Sequence, residues 1–249
     1  MNQFFGLEWD GSPFVLFNTP HLIALAIISL INIALAAFGK RLSDRQRTVV
    51  RYTLAGVLIV DELLWHVWNA TTGQWTIRTM LPFHLCSVLV WLSAVMLIRK
   101  SYAIYEVAYL LGIAGALQAL LTPDAGIYGF PHFRAFQVMI SHGAIITSAV
   151  CMTAVEGFRP TADSIKRVLV RANIYAVVVF IVNMLIGSNY LFIAHKPETA
   201  SLLDVLPPWP WYLPFLELLA LVFIGLFYLP FAIKDARSRR EASSPALAD

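Results

Sequence analysis

Charged residues are scarce in this sequence. Asp, Glu, Lys and Arg make up 13% of its 249 residues, whereas they make up about a quarter of a soluble domain. The sequence also lacks a glycine-rich phosphate-binding loop, and it has no basic stripe interleaved with aromatic residues. These absences argue against a nucleic-acid partner, although the formal net charge is +3.

Cysteine is rarer still: Cys86 and Cys151 are the only two, and neither belongs to a CxxC pair. They fall near opposite ends of two predicted helices, so we expect no disulfide between them. Lys and Arg are absent from Met1–Thr19, which argues against a cleavable signal peptide. The seventh predicted helix has no lysine in its apolar part, since Lys234 falls at its end, and this argues against a retinal Schiff base.

Hydrophobic segments dominate what is present, since 59% of the residues are apolar or aromatic. A helix needs about 20 such residues to cross the hydrocarbon layer of a membrane. Seven segments approach that length and predict an all-α fold, a seven-helix transmembrane bundle. They are His21–Phe38, Val49–Ala70, Leu81–Ile98, Tyr102–Leu121, Phe136–Val155, Val170–Ile193 and Trp211–Ile233. The loops are too short for a second domain, so we predict one domain, 1–235, and a disordered polar tail, 236–249.

Basic residues are distributed unevenly between the two sides of this bundle. Fifteen of the eighteen Lys and Arg residues follow helices 1, 3, 5 and 7, whereas Arg78, Arg134 and Lys196 fall on the other side. Because basic residues near helix ends remain in the cytoplasm, we expect the N-terminus outside and the C-terminus cytoplasmic. The expected location is the cell membrane, with several crossings. The expected partners are membrane lipids, above all phospholipids, whose anionic headgroups suit the basic loops.

Polar and ionisable residues interrupt the apolar segments, although such residues are costly within a membrane and normally face the interior of a bundle. The predicted topology places nearly all of them in the outer half, so we expect them to line one cavity that opens outward. The candidates for catalysis are His84, Cys86 and His142. The expected lining residues are Asp61, Glu62, His66, Gln118, Gln137, Asn183, Asn189, Tyr190, Trp209 and Trp211.

Residue spacing on a helix decides which of these side chains can meet. Glu62 and His66 are four residues apart and share one face of helix 2. Asp61 points about 100° away from Glu62, so it is expected to serve a different contact. Gly112 and Gly115 form a small-residue patch on helix 4, which we interpret as a site of close helix packing.

Spacing also separates the two candidates on helix 3. His84 and Cys86 lie about 200° apart around a regular helix, so both cannot aim at one point. A thiolate at Cys86 would therefore take its base from another helix, for which His142 is the best candidate. His84 is expected to meet the Glu62 and His66 pair on helix 2. Each of these histidines could instead be a structural hydrogen-bond partner.

Four short motifs occur in order along nearly the whole chain: Leu81–Cys86, Ser141–Gly143, Gly187–Tyr190 and Pro208–Tyr212. Together they resemble the YwaF-like family of bacterial integral membrane proteins. That family is related to an animal transmembrane branch described as a phospholipid acyltransferase with a catalytic Cys and a His. The resemblance implies that His84 and His142 are the motif histidines. In the animal branch the Cys directly precedes the motif His, and Phe83 occupies that position here, so Cys86 does not correspond to it.

Three functions are compatible with these residues. The first is a lipid-directed acyltransferase or hydrolase that needs no cofactor, with Cys86 as nucleophile, His142 as base, and His84 orienting it or stabilising the oxyanion. The second is a metal-dependent membrane hydrolase, which requires zinc held by ligands from three helices. The third is a transporter or sensor that relays protons or cations through Asp61, Glu62 and the histidines. The predicted zinc ligands are Glu62, His66, His84 and His142.

Overall fold

The computed structural model of the protein describes residues 3–196 and 202–243, which form helices joined by turns, with no strand among them. We label the seven long helices of this part of the chain α1 to α7. They are α1 Thr19–Phe38, α2 Asp44–Thr71, α3 Leu85–Arg99, α4 Tyr102–Leu121, α5 Phe133–Ala154, α6 Ala162–Ile186 and α7 Leu213–Ser243. Helix α4 contains one π-helical turn, Ala108–Gly112. Short 3-10 helices cover Gly39–Arg41, Tyr190–Phe192 and Leu202–Val205.

The all-helical fold class predicted from the sequence is confirmed. Five of the described helices, α1 and α4 to α7, are long and apolar enough to cross a membrane. Helix α3 is apolar but shorter, and α2 contains six Asp, Glu and Arg residues. The count of seven crossings and the orientation of the termini remain predictions.

Contacts at the two ends of the bundle show how the helices alternate in direction. At one end, the His21 ring at the start of α1 bonds through Nε2 to the carbonyl of Leu120, at the end of α4, at 2.8 Å. At the other end, Arg51 near the start of α2 donates to the carbonyl of Leu97, near the end of α3. We call the end where α1 begins the outer end, following the predicted orientation, and the opposite end the inner end.

Helix α5 lies at the centre of the bundle. In its most apolar stretch 72% of the residues are buried, against 6% in α1, 11% in α6 and 6% in α7. Helix α5 packs against α1, α2, α3 and α4, whereas α6 and α7 lie against each other and against α4. The architecture is therefore a five-helix core, α1 to α5, with the α6–α7 pair on one side of it. The exposed faces of that pair are apolar, as expected for helices that contact lipid.

The N-terminal segment, residues 3–18, contacts the outer end of the core. The Trp68 indole of α2 donates to the carbonyl of Phe5 at 2.8 Å. The His132 ring, which precedes α5, bonds through Nε2 to the carbonyl of Gly6 at 2.9 Å. Burial lowers the pKa of His132, although the hydrogen bond to Gly6 opposes that shift. A neutral histidine and a tryptophan thus fasten this segment to two helices.

Ion pairs connect the elements at the inner end. Glu156, which follows α5, pairs with Arg51 of α2 at 3.1 Å and with Lys100 after α3 at 2.5 Å. Arg159, before α6, pairs with Asp235 of α7 at 2.5 Å. The side chains of Arg51 and Glu156 are both less than one-tenth exposed, so this pair is part of the packed interior.

Three helices extend beyond the bounds that hydropathy predicts by five residues or more. Helix α2 begins at Asp44, because Ser43 and Gln46 form a capping box that brings charged residues into its first turn. Helix α6 begins at Ala162, within the basic connection that precedes the predicted segment. Helix α7 continues to Ser243 and overlaps the start of the predicted tail, the rest of which lies outside the described residues. The division into one domain and a tail remains a prediction.

Candidate functional site

Three helices of the core meet at Gly112. A Cβ placed on this residue of α4 would lie 3.1 Å from Leu89 Cδ1 of α3 and 3.6 Å from Ile145 Cγ2 of α5. The glycine therefore allows the close packing that the sequence predicts. The contact also fixes the register of the three helices, since Leu89, Gly112 and Ile145 form one layer.

One turn nearer the outer end, the corresponding residues are Cys86, Gly115 and His142. Helices α3 and α5 run inward and α4 runs outward, so Cys86 and His142 precede their counterparts by three residues, whereas Gly115 follows its counterpart by three. A Cβ placed on Gly115 would lie 3.9 Å from Cys86 Sγ, so the thiol faces this glycine. The register places His142 in the same layer, which we call the thiol layer.

The hydrogen bonds of His142 define its tautomer. Nδ1 lies 2.8 Å from the carbonyl oxygen of Val138 and 3.1 Å from Ser141 Oγ. A carbonyl oxygen only accepts, so Nδ1 carries the proton, and the neutral ring has its lone pair on Nε2. His142 therefore has the form that a general base requires.

Cys86 is the second residue of α3, so its sulfur lies at the N-terminus of a helix. The N-cap residue is His84, whose side chain makes no hydrogen bond to the first turn. Backbone N–H groups at such an end carry partial positive charge and stabilise an anion. Negative charge on the sulfur, or on a carbonyl oxygen beside it, would be stabilised here.

The structure gives His84 different partners from those expected on α2. Its ring centroid lies 5.1 Å from that of Tyr190 and 5.2 Å from that of Phe192. Its Nδ1 accepts a hydrogen bond from the backbone N–H of Leu191 at 3.4 Å. All three partners belong to the segment after α6, because that segment folds back over the start of α3. His84 and Cys86 thus have different surroundings, although His84 is the N-cap of α3 and lies outside the regular helix that the spacing argument assumed.

Three of the four sequence motifs meet around Tyr190. Its hydroxyl accepts from the backbone N–H of Leu81 at 2.9 Å. Asn183 fixes its backbone on both sides, since Oδ1 accepts from the Tyr190 N–H at 2.8 Å and Nδ2 donates to its carbonyl at 2.9 Å. Tyr212, before α7, donates to the carbonyl of Phe192. The motifs that begin α3, follow α6 and precede α7 therefore form one unit, which we call the motif junction.

The backbone of the motif junction is strained. Leu191 has a φ of +60° and Phe192 a φ of +53°, in the left-handed region that large side chains rarely adopt. Such residues persist only where the surrounding structure holds them, and they cluster at functional sites. The strain falls on two of the three residues that contact His84, which links it to a predicted site residue.

A second set of polar residues lies on α2, and its members point in two directions. Glu62 and His66 contact each other at 3.5 Å, as their spacing predicts, and Trp75 donates to Nδ1 of His66 at 3.0 Å. Asp61 turns to another helix, also as predicted, where it accepts from Nε2 of Gln137 on α5 at 3.2 Å. These residues form an outer polar network around the end of α2.

Arg134 extends this network, although it is not among the predicted site residues. It donates to Gln137 Oε1 at 2.5 Å and to the carbonyl of Asp124 at 2.7 Å, and its guanidinium lies 4.3 Å from the centre of the Trp65 ring. The signal in the sequence is spacing, since Arg134 precedes Gln137 by three residues on one helix face. Ser141, beside His142, is another contact that was not predicted.

Several predicted lining residues lie elsewhere. Gln118 is exposed on α4, and the side chains of Trp209 and Trp211 are 47% and 68% exposed. Asn189 donates to the carbonyl of His195 in the loop after α6, at 2.8 Å. The predicted residues are thus divided among the thiol layer, the motif junction, the outer polar network and the exposed surface.

The predicted zinc ligands are divided in the same way. Glu62 and His66 lie together, whereas His84 belongs to the motif junction and His142 to the thiol layer. Within residues 3–196 and 202–243, no three His, Cys, Asp or Glu side chains come close enough to hold a metal ion. The proposed metal-binding set is therefore not formed in the part of the chain that the structure describes, because its members come from elements that do not converge.

Two apolar cavities flank the core. The larger, of about 810 Å³, lies between α3, α4 and the α6–α7 pair, and the smaller, of about 580 Å³, lies between α1, α2 and α5. None of the predicted site residues lines either of these two cavities. Leu85 and Leu89 line the larger one, however, and they flank Cys86 along α3. The thiol layer therefore lies next to the wall of this cavity.

The fold and the site define a class: a helical membrane protein with several apolar helices and ionisable residues inside the bundle. The particular family follows from the sequence, which matches the TMEM164 family over residues 16–228. The chain belongs to this family of transmembrane proteins, and the match extends from just before α1 into α7. No curated protein and no solved structure matches the chain. The resemblance to the YwaF-like bacterial family remains a prediction.

Proposed function

We propose that this protein is an enzyme of the cell membrane that transfers or hydrolyses the acyl group of a lipid, with phospholipids as the expected substrates. Cys86 is the nucleophile and His142 the general base. The observation that carries the proposal is the thiol layer, in which the Cys86 thiol faces Gly115 and the helix register sets His142, with a suitable tautomer, at the same level. The glycine leaves room beside the sulfur that a larger side chain would fill.

The reaction would proceed through a thioester. The Cys86 sulfur adds to the carbonyl carbon of the ester, and its proton passes to Nε2 of His142. The bond from that carbon to the alcohol oxygen breaks, and His142 returns the proton to the departing alcohol. A hydroxyl group of a second lipid, or water, then attacks the thioester and gives its proton to His142. The acyl group leaves the sulfur, which regains a proton.

The start of α3 would stabilise the oxyanion of each step, and His84 could contribute, because as the N-cap it has an extended backbone and is not held to the separation of about 200° in a regular helix. Because Nδ1 of His84 accepts the hydrogen bond from Leu191, the neutral ring carries its proton on Nε2, which can donate. The backbone N–H groups at the start of α3 are a second source of positive potential. The two histidines thus have opposite tautomers, which suits one to donate and the other to accept a proton.

A second function, a proton or cation relay, is favoured by one observation. Asp61 and Glu62 are buried, at 7% and 4% exposure. Among the described residues, neither carboxylate forms an ion pair with Lys or Arg: Asp61 meets the amide of Gln137, and Glu62 meets the imidazole of His66. Buried carboxylates with few partners are typical of proton and ion pathways in membranes. This relay does not require Cys86, so one variant separates the two functions.

The test uses purified protein in phospholipid vesicles, with mass spectrometry of released fatty acid and newly acylated lipid. We expect the His142→Ala variant to lose about 10²–10⁴-fold in rate, the usual contribution of a general base. The Cys86→Ala variant should lose turnover and the hydroxylamine-sensitive acyl adduct. The matched control is Cys151→Ala, because that cysteine is buried, whereas Cys86 is half-buried, and it lies at the inner end of α5, away from the thiol layer.

Two outcomes would contradict the proposal. Full turnover in the Cys86→Ala variant would show that Cys86 is not the nucleophile. If the wild-type protein neither transfers nor hydrolyses acyl groups on a broad phospholipid panel, the proposal of an enzyme is wrong and the proton or cation relay is favoured. Loss of activity in all three variants alike would indicate a folding defect, which thermal unfolding of each variant detects.

A further inference from the structure

The larger cavity is a slot between the five-helix core and the α6–α7 pair. Its volume of about 810 Å³ falls within the range of about 300–1,000 Å³ that is usual for ligand sites. Eighteen of its 22 lining residues are apolar. The other four are Arg171, Asn173, Tyr175 and Glu217.

The polar residues in the wall are bonded to the protein. Asn173 donates to Glu217 Oε1 at 2.9 Å, which joins α6 to α7. The Tyr175 hydroxyl donates to the carbonyl of Phe83, before α3, at 2.9 Å. Since these groups already have partners, the walls of the slot favour an apolar occupant over a polar one.

Charge limits the slot at its inner end. Arg171 donates to Oε2 of Glu106 at 2.7 Å and to the carbonyl of Ala103 at 3.0 Å. Glu106 is fully buried and also pairs with Arg167. The small residues Ala103 and Ala172 line the slot beside this ion pair. An apolar chain that reached the pair would desolvate it, which is unfavourable.

The outer part of the slot approaches the thiol layer. A Cβ placed on Gly115 would lie 3.4 Å from Leu85 Cδ2 and 3.9 Å from Cys86 Sγ, so a wall residue and the nucleophile contact the same glycine. Leu89 continues the wall one turn further inward, and Leu191 of the motif junction lines the slot as well. An acyl group on Cys86 would therefore enter the slot past Leu85.

The length of the slot matches one lipid chain. Its α6 wall runs from Arg171 to Phe180, which is about 14 Å at 1.5 Å per residue. The hydrocarbon layer of a bilayer is about 30 Å thick, so the chains of one leaflet span about 15 Å. An acyl chain that spans the depth of one leaflet therefore fits between the thiol layer and the ion pair.

We propose that the slot binds the acyl chain of the lipid substrate, and that its inner end sets the longest chain the enzyme accepts. The limit is formed by the Arg171–Glu106 ion pair together with Ala103 and Ala172. This inference rests on the proposed acyl chemistry at Cys86. The smaller cavity is a poorer site for a chain attached to Cys86, because no residue of α3 lines it.

Substitutions at the inner end test the length limit. Phospholipids that differ only in acyl-chain length are compared by kcat/KM in wild type, Ala172→Phe and Ala103→Phe. For the wild type we expect only a modest rise for each methylene that packs against the slot walls, because the chain leaves bilayer surroundings that are already apolar, followed by a fall beyond the length that the slot can bury. In both variants the optimum should move to shorter chains, and the longest substrates should lose at least about tenfold while the shortest are unaffected.

The matched control is Ala34→Phe, the same change in size at an exposed position of α1. Its chain-length profile should equal that of the wild type. Profiles unchanged in both slot variants would overturn the inference. If both slot variants fail to fold, the crosslinking experiment below decides the question.

Crosslinking separates the binding site from the chemistry. The Cys86→Ala variant is incubated with a phospholipid that carries a photoreactive group at the end of one acyl chain, and the labelled residues are mapped by mass spectrometry. Labels at Ala103 or at residues 171–176 support the slot, whereas labels confined to Ile27 and Met139, in the smaller cavity, overturn it. A wild-type protein inactive on every chain length but labelled at the inner end would overturn the proposed chemistry and leave the acyl-chain site intact.

Discussion

The two ends of the bundle hold their buried carboxylates in different ways. At the inner end, Glu106 accepts from two arginines, and Glu156 pairs with an arginine and a lysine. At the outer end, Asp61 meets the amide of Gln137, and Glu62 meets the imidazole of a histidine. Full ion pairs fasten elements together, whereas carboxylates with neutral partners keep the freedom to change protonation state or ligand. Ion pairs thus hold the helices together at the inner end, whereas the buried carboxylates of the outer end form no such pairs within the described part of the chain.

The distribution of basic residues explains this difference. Lys and Arg are concentrated in the segments at the inner end, where the predicted orientation requires them. The same residues are the ones available to pair with carboxylates on α4, α7 and the chain after α5. The charges that are expected to orient the chain therefore also join its helices, and few remain for the outer end.

The largest effect expected is all-or-none and concerns which end faces the cytoplasm. We expect a cysteine introduced as Gln74→Cys, exposed after α2, to react with a membrane-impermeant thiol reagent added to intact cells. A cysteine introduced as Ala162→Cys, exposed at the start of α6, should react only after permeabilisation. The parent protein, which retains Cys86 and Cys151, gives the background. Labelling of the two positions in the reverse pattern would invert the assignment of the ends.

The next effect concerns the stability supplied by the inner ion pairs. We expect the Glu106→Gln variant to lose about 2–3 kcal/mol of free energy of unfolding, measured by denaturant titration in detergent micelles. The loss is moderated because the side chains of Arg167 and Arg171 are 40% and 38% exposed and keep part of their hydration. The control Asp163→Asn removes an exposed acid from the first turn of α6 and should cost less than about 1 kcal/mol. Equal losses in the two variants would mean that the buried cluster adds nothing beyond a surface charge.

The smallest effect is expected at the outer end, from the same kind of neutralisation. The Asp61→Asn variant keeps the size of the side chain and can keep its hydrogen bond to Gln137, so it should lose less than about 1 kcal/mol in the same titration. Its loss should be clearly below that of Glu106→Gln. If the two variants are destabilised equally, the outer carboxylate is as firmly paired as the inner one, and the contrast between the ends disappears.

Hydropathy predicts most of the fold because each helix carries its own apolar stretch. The predicted bounds of α4, Tyr102–Leu121, agree with the structure. The start of α2 is missed because its first turn is charged and depends on a capping box rather than on hydrophobicity. Contacts set within one helix are also predictable, as the pairing of Glu62 with His66 shows.

The remaining contacts depend on how separate elements meet, which spacing along one helix does not encode. The surroundings of His84 require the strained turn at Leu191 to fold back over α3. The position of Cys86 opposite Gly115 requires the register of α3 against α4, which is fixed one turn away by the contact of Leu89 with Gly112. For that reason the sequence predicts the residue types of the candidate site but not which of these side chains lie close to one another.

The π-helical turn of α4 changes the direction in which the side chains after it point, relative to those before it. A regular helix advances 100° per residue, and a π turn inserts extra backbone that rotates everything after it. Before the turn Ala108–Gly112, Glu106 points to the arginines of α6; from its end onward, Gly112 and Gly115 point to α3 and α5. One residue fewer in this turn would restore a regular helix and rotate one face against the other by about 100°. One irregular turn thus sets the angle between the part of α4 that pairs with the arginines and the part that packs against α3 and α5. A single insertion or deletion there would turn one of these faces away from its partners.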